Sequence, residues 1–134
     1  MHNVRFAAPA GRLLLSLIFL LSGVSKATDP TGTMAYIAAV IGIDPLLPYI
    51  GSTVIELLFG LLLLAGYRTR MAAAVLSAFA VAAALLFHSD LADQNQMIHF
   101  LKNIAIAGGL LQIVAFGPGA LSLDARRTAS RAAA

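Results

Sequence analysis

The chain has 134 residues, of which 60% are hydrophobic and 11% are charged. Soluble domains carry more than twice this charged fraction, so the composition excludes a water-soluble globule and a disordered chain. The formal net charge is +3, but the basic residues are scattered singly among apolar runs, which argues against nucleic-acid binding. The absence of cysteine excludes disulfides, thiol redox chemistry, iron–sulfur clusters and thiolate metal sites.

Hydrophobic segments of the length that a bilayer demands fill most of the chain. We therefore predict an all-α fold, a single integral membrane domain over residues 1–134 that forms a four-helix bundle. The spans are expected at residues 9–26, 48–67, 71–88 and 97–117, followed by a flexible tail at residues 125–134. Gly117-Pro118-Gly119 ends the fourth span because it is flexible and incompatible with a helix.

A shorter helix is predicted between the first two spans, at residues 31–41. Met34, Ile37, Ala38 and Ile41 recur at helical spacing there. About 12 residues cannot cross a bilayer, so we expect this helix to lie in the outer interface or to cap the bundle.

The basic residues indicate the orientation of the spans. One side holds only Lys26 and Lys102. The other side carries seven arginines, namely Arg5, Arg12, Arg68, Arg70, Arg126, Arg127 and Arg131. Because short loops rich in basic residues stay in the cytoplasm, both termini are expected inside. Ser25-Lys26-Ala27 also fits a signal-peptidase site, but cleavage there would break the even number of spans.

Glu56 is the most informative residue, since it lies roughly 12 Å below the outer start of its span. A carboxylate at that depth costs about 2.5–3.5 kcal/mol and should face a partner inside the bundle. Lys102 is the natural candidate, and Lys26 is the alternative. The expected outer polar layer comprises Glu56, Lys102, Asn103, His88, Lys26 and His99.

This layer has both structural and functional interpretations. The ion pair could serve only to fix the register of the helices, and the two histidines could be ordinary interfacial groups. Ligation of a haem between the histidines is disfavoured, because they lie beside a short loop and not in a deep site. No metal site is expected.

Small residues predict where the helices approach each other. Glu56 and Gly60 share one helix face, and Ala105 and Gly109 share another. The inward face of the first span is expected to comprise Arg12, Ser16, Phe19, Gly23 and Lys26.

Several motifs in this order and spacing resemble the DoxX family of small four-helix membrane proteins. They are Ser22-Gly23-x-x-Lys26, Glu56-x-x-x-Gly60, Gly66-Tyr67-Arg68-Thr69-Arg70, Phe87-His88-Ser89, Lys102-Asn103 and Gly117-Pro118-Gly119-Ala120. The resemblance implies a bacterial inner-membrane protein, in a family named after a subunit of a quinone-reducing thiosulfate oxidoreductase. Some relatives are tied to oxidative-stress and thiol-detoxification complexes.

Three functions remain open at this point. In the favoured one, Glu56, Lys102 and His88 bind a quinone or similar lipophile, with no intrinsic cofactor and the redox centre on a partner enzyme or on the bound quinone. The second is a membrane scaffold that docks partner enzymes through residues 31–41. The third, a small-solute transporter, is disfavoured because spans one to three lack Pro or paired Gly breaks. The expected partners are the lipid bilayer, redox enzymes and a second copy of the chain, and no nucleic acid.

Overall fold

The computed structural model describes residues 4–133, and the regular structure within that range is helical. The helices are α1 (Val4–Thr28), α2 (Pro30–Ile41), α3 (Leu46–Ala65), α4 (Thr69–Phe87), α5 (Gln94–Phe116) and α6 (Leu123–Ala132). α1, α3, α4 and α5 are long and apolar enough to cross a membrane. The predicted all-α fold with four spans and a short helix between the first two is thus confirmed. We call the two ends of the bundle the α2 end and the α6 end.

The helices differ from the predicted ranges mainly at their starts. α1 begins at Val4 and includes Pro9 as an interior residue, although Pro9 was expected to be its first position. α5 begins at Gln94, because the side chain of Asp93 accepts a hydrogen bond from the amide of Gln96 and caps the first turn. The start of α5 is set by this local cap and not by hydrophobic periodicity, which is why the apolar pattern places it late.

The segment expected to be a flexible tail is largely helical, and this is a correction. α6 runs from Leu123 to Ala132, while residue 134 lies outside the described residues. The Ser122 side chain accepts a hydrogen bond from the amide of Ala125, and Asp124 adds a negative charge to the first turn. Caps of this kind, followed by alanine and arginine, favour a helix.

α4 lies at the centre of the core and packs most extensively against α5. Most of its buried side chains are small, which lets neighbouring helices approach closely where lipid provides no hydrophobic driving force. The core cluster consists of Phe19, Leu63, Ala72, Ala73, Leu76, Ala80, Ala107 and Leu110. α5 touches α1 at few places, so the bundle is less closed between α1 and α5 than between α4 and α5.

α1 presents the inward face that its spacing predicts. Arg12, Ser16, Phe19 and Gly23 are buried, and Lys26 is half-buried. A Cβ atom added to Gly23 would lie 2.8 Å from the side chain of Leu57, so the absence of a side chain at Gly23 lets α1 and α3 approach closely. This close approach brings Lys26 and Glu56 within reach of each other.

Candidate functional site

A cavity of about 710 Å³ lies at the α2 end of the bundle. All four spans and α2 contribute to its walls, which are mostly apolar. α2 covers it through the buried Ile37 and through Tyr36, whose ring stacks on Phe87 with 5.7 Å between the ring centroids. Polar side chains reach the cavity in two groups, one on α1 and α3 and the other on α4 and α5.

The first group is a buried ion pair between Lys26 and Glu56. Lys26 Nζ donates to Glu56 Oε2 at 2.5 Å and to Ser22 Oγ at 3.0 Å, and Ser22 Oγ donates to Glu56 Oε1 at 3.0 Å. The Glu56 side chain is 6% exposed and the Lys26 side chain 22% exposed. Both carboxylate oxygens are therefore hydrogen-bonded, which is the condition under which a buried charge is tolerated.

Glu56 lies in a π-helical turn, Ile55–Phe59, within α3. At the end of this turn the amide of Gly60 donates to the carbonyls of Glu56 and Leu57. Single π turns inside α-helices shift the side chains that follow and occur often at functional sites. No feature of the amino-acid pattern distinguishes this turn from an ordinary α-helical one.

The second polar group contains His88, His99 and Asn103. The two imidazole rings stack with 5.0 Å between their centroids, and His88 Nδ1 lies 2.8 Å from the Oε1 atom of Gln96. The Asn103 amide nitrogen donates to the carbonyl of His99 at 3.1 Å. All three side chains line the same cavity as the ion pair, so polar groups reach the cavity from α1, α3 and α5 and from His88, which directly follows α4.

The expected pairing of Glu56 with Lys102 is not what the structure shows. Lys102 is exposed and does not line the cavity, whereas the adjacent Asn103 does. Successive helical residues differ by about 100° in direction, so turning Asn103 inward carries Lys102 away from the core. Lys26 is the partner because it lies on the inward face of α1.

The small residues predicted to mediate packing fall in different environments. Gly60 is buried against Leu20 of α1, with 3.0 Å between an added Cβ atom and the leucine side chain. Gly109 makes an ordinary contact with Leu15, whereas Ala105 is exposed. The glycines therefore lie at contacts with α1, but Ala105 does not face a neighbouring helix.

Arg12 has a role that the sequence did not reveal. It is 4% exposed and donates hydrogen bonds to the carbonyls of Pro118 and Leu121, so it holds the loop between α5 and α6 against α1. An arginine inside an apolar run is the signal that could have identified it. Within residues 4–133, no three side chains of the metal-ligating types converge on one point.

Comparison with known proteins agrees with this architecture. The chain matches the DoxX family model over residues 7–89, which covers α1 to α4. It is 35% identical over 113 residues to the inner membrane protein YqjF of Escherichia coli K12, covering 84% of this chain and 85% of the relative. It is also 34% identical over 121 residues to the inner membrane protein YphA of the same organism, covering 86% of each. No solved structure matches the chain. These matches and the four spans show an inner-membrane protein that belongs to the DoxX family.

Proposed function

We propose that the cavity binds a quinone or a similar lipophile with polar groups on an apolar body. The observation that carries this proposal is the buried Lys26–Glu56 pair in the wall of an apolar cavity. The volume, about 710 Å³, falls within the roughly 300–1,000 Å³ typical of small-molecule sites. Ionisable residues inside a membrane commonly mark ligand or proton pathways.

The two polar groups suit a ligand that accepts hydrogen bonds at separate points. Lys26 Nζ is a donor on the α1–α3 side, and His99 and Asn103 supply polar atoms on the α4–α5 side. Reduction of a bound quinone to a quinol takes up two electrons and two protons. Glu56 and the histidines would exchange protons with the ligand, while the electrons would come from a partner enzyme, since this chain has no evident redox centre of its own.

Solvent extraction and mass spectrometry of small molecules retained by the detergent-purified protein test this proposal. The variants are Glu56→Gln, which removes the charge, and Ala83→Leu, which fills part of the cavity without altering the ion pair. The matched controls are Asp90→Asn, the same chemical change in an exposed loop, and Ala78→Leu, the same enlargement at an exposed position of α4.

We expect the wild type and both controls to retain a quinone or related lipophile at close to one molecule per chain. Glu56→Gln and Ala83→Leu should retain at least tenfold less, the effect of losing about 1.4 kcal/mol of binding free energy. Only bulk phospholipid in every sample would contradict the proposal. That result would favour a membrane scaffold that docks partner enzymes through the exposed face of α2.

A further inference from the structure

A shallow, open surface lies at the opposite end of the molecule, between the end of α5 and the face of α6. This surface, which we call the tail groove, has a volume of about 610 Å³. Phe116, the last residue of α5, lines it and is 80% exposed. Ala125, Ala129 and Ala132 form the α6 wall at intervals of four and three residues, which places them on one helix face.

The position of Phe116 sets the level of the tail groove relative to the bilayer. Phe116 ends a spanning helix, so the groove opens where the hydrocarbon meets the lipid headgroups. An aromatic ring exposed at this level and a wall of alanine methyl groups favour contact with an acyl chain or glycerol backbone over contact with water. The occupant is therefore expected to have an apolar part.

Charged residues around the tail groove select an anion. On α6, Arg126 and Arg131 project on opposite sides of the alanine face, because they are displaced from it by about 100° in opposite directions. Both are exposed, and within residues 4–133 neither forms an ion pair. Arg127 is engaged elsewhere, with its guanidinium carbon 5.1 Å from the centroid of the Tyr67 ring.

Asp124, the one carboxylate lining the tail groove, is already occupied. It accepts hydrogen bonds from the amides of Arg68 and Thr69 at 2.8 Å each and from the Thr69 hydroxyl at 2.7 Å. Its negative charge is thus directed into the start of α4. The remaining charges beside the groove are positive. They are those of Arg126 and Arg131 on α6 and of Arg70, whose guanidinium lies next to Gly117, the residue after Phe116.

We propose that the tail groove is a binding site for an anionic phospholipid, with the headgroup phosphate between Arg126 and Arg131 and the apolar part against Phe116. Charge complementarity and the bilayer level of the groove both point to this occupant. With both termini in the cytoplasm, the site would face the inner leaflet. The proposal does not depend on what the cavity at the α2 end binds.

Native mass spectrometry of the full chain in mixed micelles tests the site. The micelles contain either phosphatidylglycerol or phosphatidylcholine with identical acyl chains. The variants are Arg126→Gln/Arg131→Gln, which removes the charge, and Ala129→Trp, which fills the tail groove. The control is Arg5→Gln/Arg68→Gln, which removes the same charge from exposed positions at the same end but away from the groove lining. Circular dichroism checks that helix content is unchanged in each variant.

The wild type and the control should retain phosphatidylglycerol in preference to phosphatidylcholine. Apparent affinity for phosphatidylglycerol should fall about 25-fold in Arg126→Gln/Arg131→Gln, because each of the two basic side chains at a bilayer surface contributes about fivefold to the binding of anionic lipid. Ala129→Trp should cause a comparable loss without a change of charge.

Three results would overturn the proposal. Equal losses in the two arginine pairs would show diffuse attraction with no local site. Unchanged binding by Ala129→Trp would show that the groove is not occupied. Displacement of the lipid by soluble glycerol phosphate at a concentration equal to that of the lipid would show that the apolar part contributes nothing.

Discussion

At the residue scale, Glu56 illustrates how a buried charge dictates its surroundings. The cost of placing a carboxylate in hydrocarbon requires a cation and hydrogen-bond donors nearby, and Lys26 and Ser22 supply them. Removing one partner from such a pair leaves the other unpaired, whereas removing both can cost little. Comparing the stability of a variant that lacks Lys26 with that of a variant that lacks both Lys26 and Glu56 therefore tests whether the two residues are partners.

Replacement of Lys26 by Met should lower the free energy of unfolding by about 1–3 kcal/mol, less than for a fully buried pair because Lys26 is partly exposed. The double variant Lys26→Met/Glu56→Leu should recover most of this loss. Unfolding in detergent, followed by circular dichroism, measures both values. Lys102→Met is the control and should change stability by less than about 0.5 kcal/mol, since Lys102 is exposed. A larger effect at Lys102 than at Lys26 would contradict the assigned pairing.

The sequence predicts that Glu56 has a partner but not which one. Depth along a helix follows from residue number and rise, so Lys26 and Lys102 are both placed at suitable levels. The direction in which a side chain points about the helix axis depends on how the helix packs against its neighbours. An error of one residue position in the rotation of α5 is enough to place Lys102 inside the bundle instead of Asn103. The spacing of inward residues on α1 is regular enough to fix its rotation. On α5 the predicted face of Ala105 and Gly109 is a poorer guide, because Ala105 is exposed.

At the scale of elements, Asp124 joins α4 to α6. Its carboxylate caps the first turn of α4 through the amides of Arg68 and Thr69, and its own amide donates to the carbonyl of Gly66 at 2.9 Å. Partial burial opposes ionisation, but the hydrogen bonds from Thr69 and Arg68 prevail and hold the pKa of Asp124 below its ordinary value. The ionised carboxylate therefore stabilises the folded state.

This lowered pKa predicts a specific pH dependence. The stabilisation by Asp124 should be fully present above about pH 4, the unfolded pKa, and be lost as pH falls through the folded pKa below it. At pH 7, Asp124→Asn should lower the free energy of unfolding by about 1 kcal/mol, as expected for the loss of a helix cap. The difference between wild type and variant should shrink as pH is lowered toward about 3.

Unfolding curves at several pH values in detergent measure this difference. Asp90→Asn is the matched control, because Asp90 is exposed and accepts one hydrogen bond within its own loop, from the amide of Ala92. A difference between wild type and Asp124→Asn that stays constant from neutral to acidic pH would refute the assignment of the pKa shift to the cap.

Sequence reasoning succeeds for some elements and fails for others for identifiable reasons. The spans and α2 are set by long apolar runs, by Pro and by Gly, all of which are visible in the chain. α6 depends on the cap at Ser122 and on hydrogen bonds between Asp124 and the start of α4. Thr69, one of the residues that donate to Asp124, is 55 residues away from it in the sequence. The π turn at Glu56 corresponds to no pattern in the local sequence. Local patterns cannot report these distant contacts.

At the scale of the whole molecule, charge is divided between the two ends of the bundle. The α6 end holds all seven arginines and Asp124, a formal charge of +6. The α2 end, including its polar layer, holds two lysines and five carboxylates, a formal charge of −3, which together give the net +3 of the chain. The structure keeps these groups apart along the bundle axis. Because basic ends are retained in the cytoplasm, the α6 end and both termini are predicted to be cytoplasmic.

Residues 1–134 contain no cysteine, which allows this orientation to be tested with single-cysteine variants. Ala92→Cys places a thiol in the exposed loop between α4 and α5, and Ser130→Cys places one on α6. A membrane-impermeant maleimide should label Ala92→Cys in intact spheroplasts and Ser130→Cys only after lysis. Leu61→Cys, on the exposed apolar face of α3, should remain unlabelled in both samples because lipid covers it. Labelling of Ser130→Cys before lysis, with Ala92→Cys protected, would reverse the orientation. It would then place the tail groove on the outer leaflet and the cavity on the cytoplasmic side.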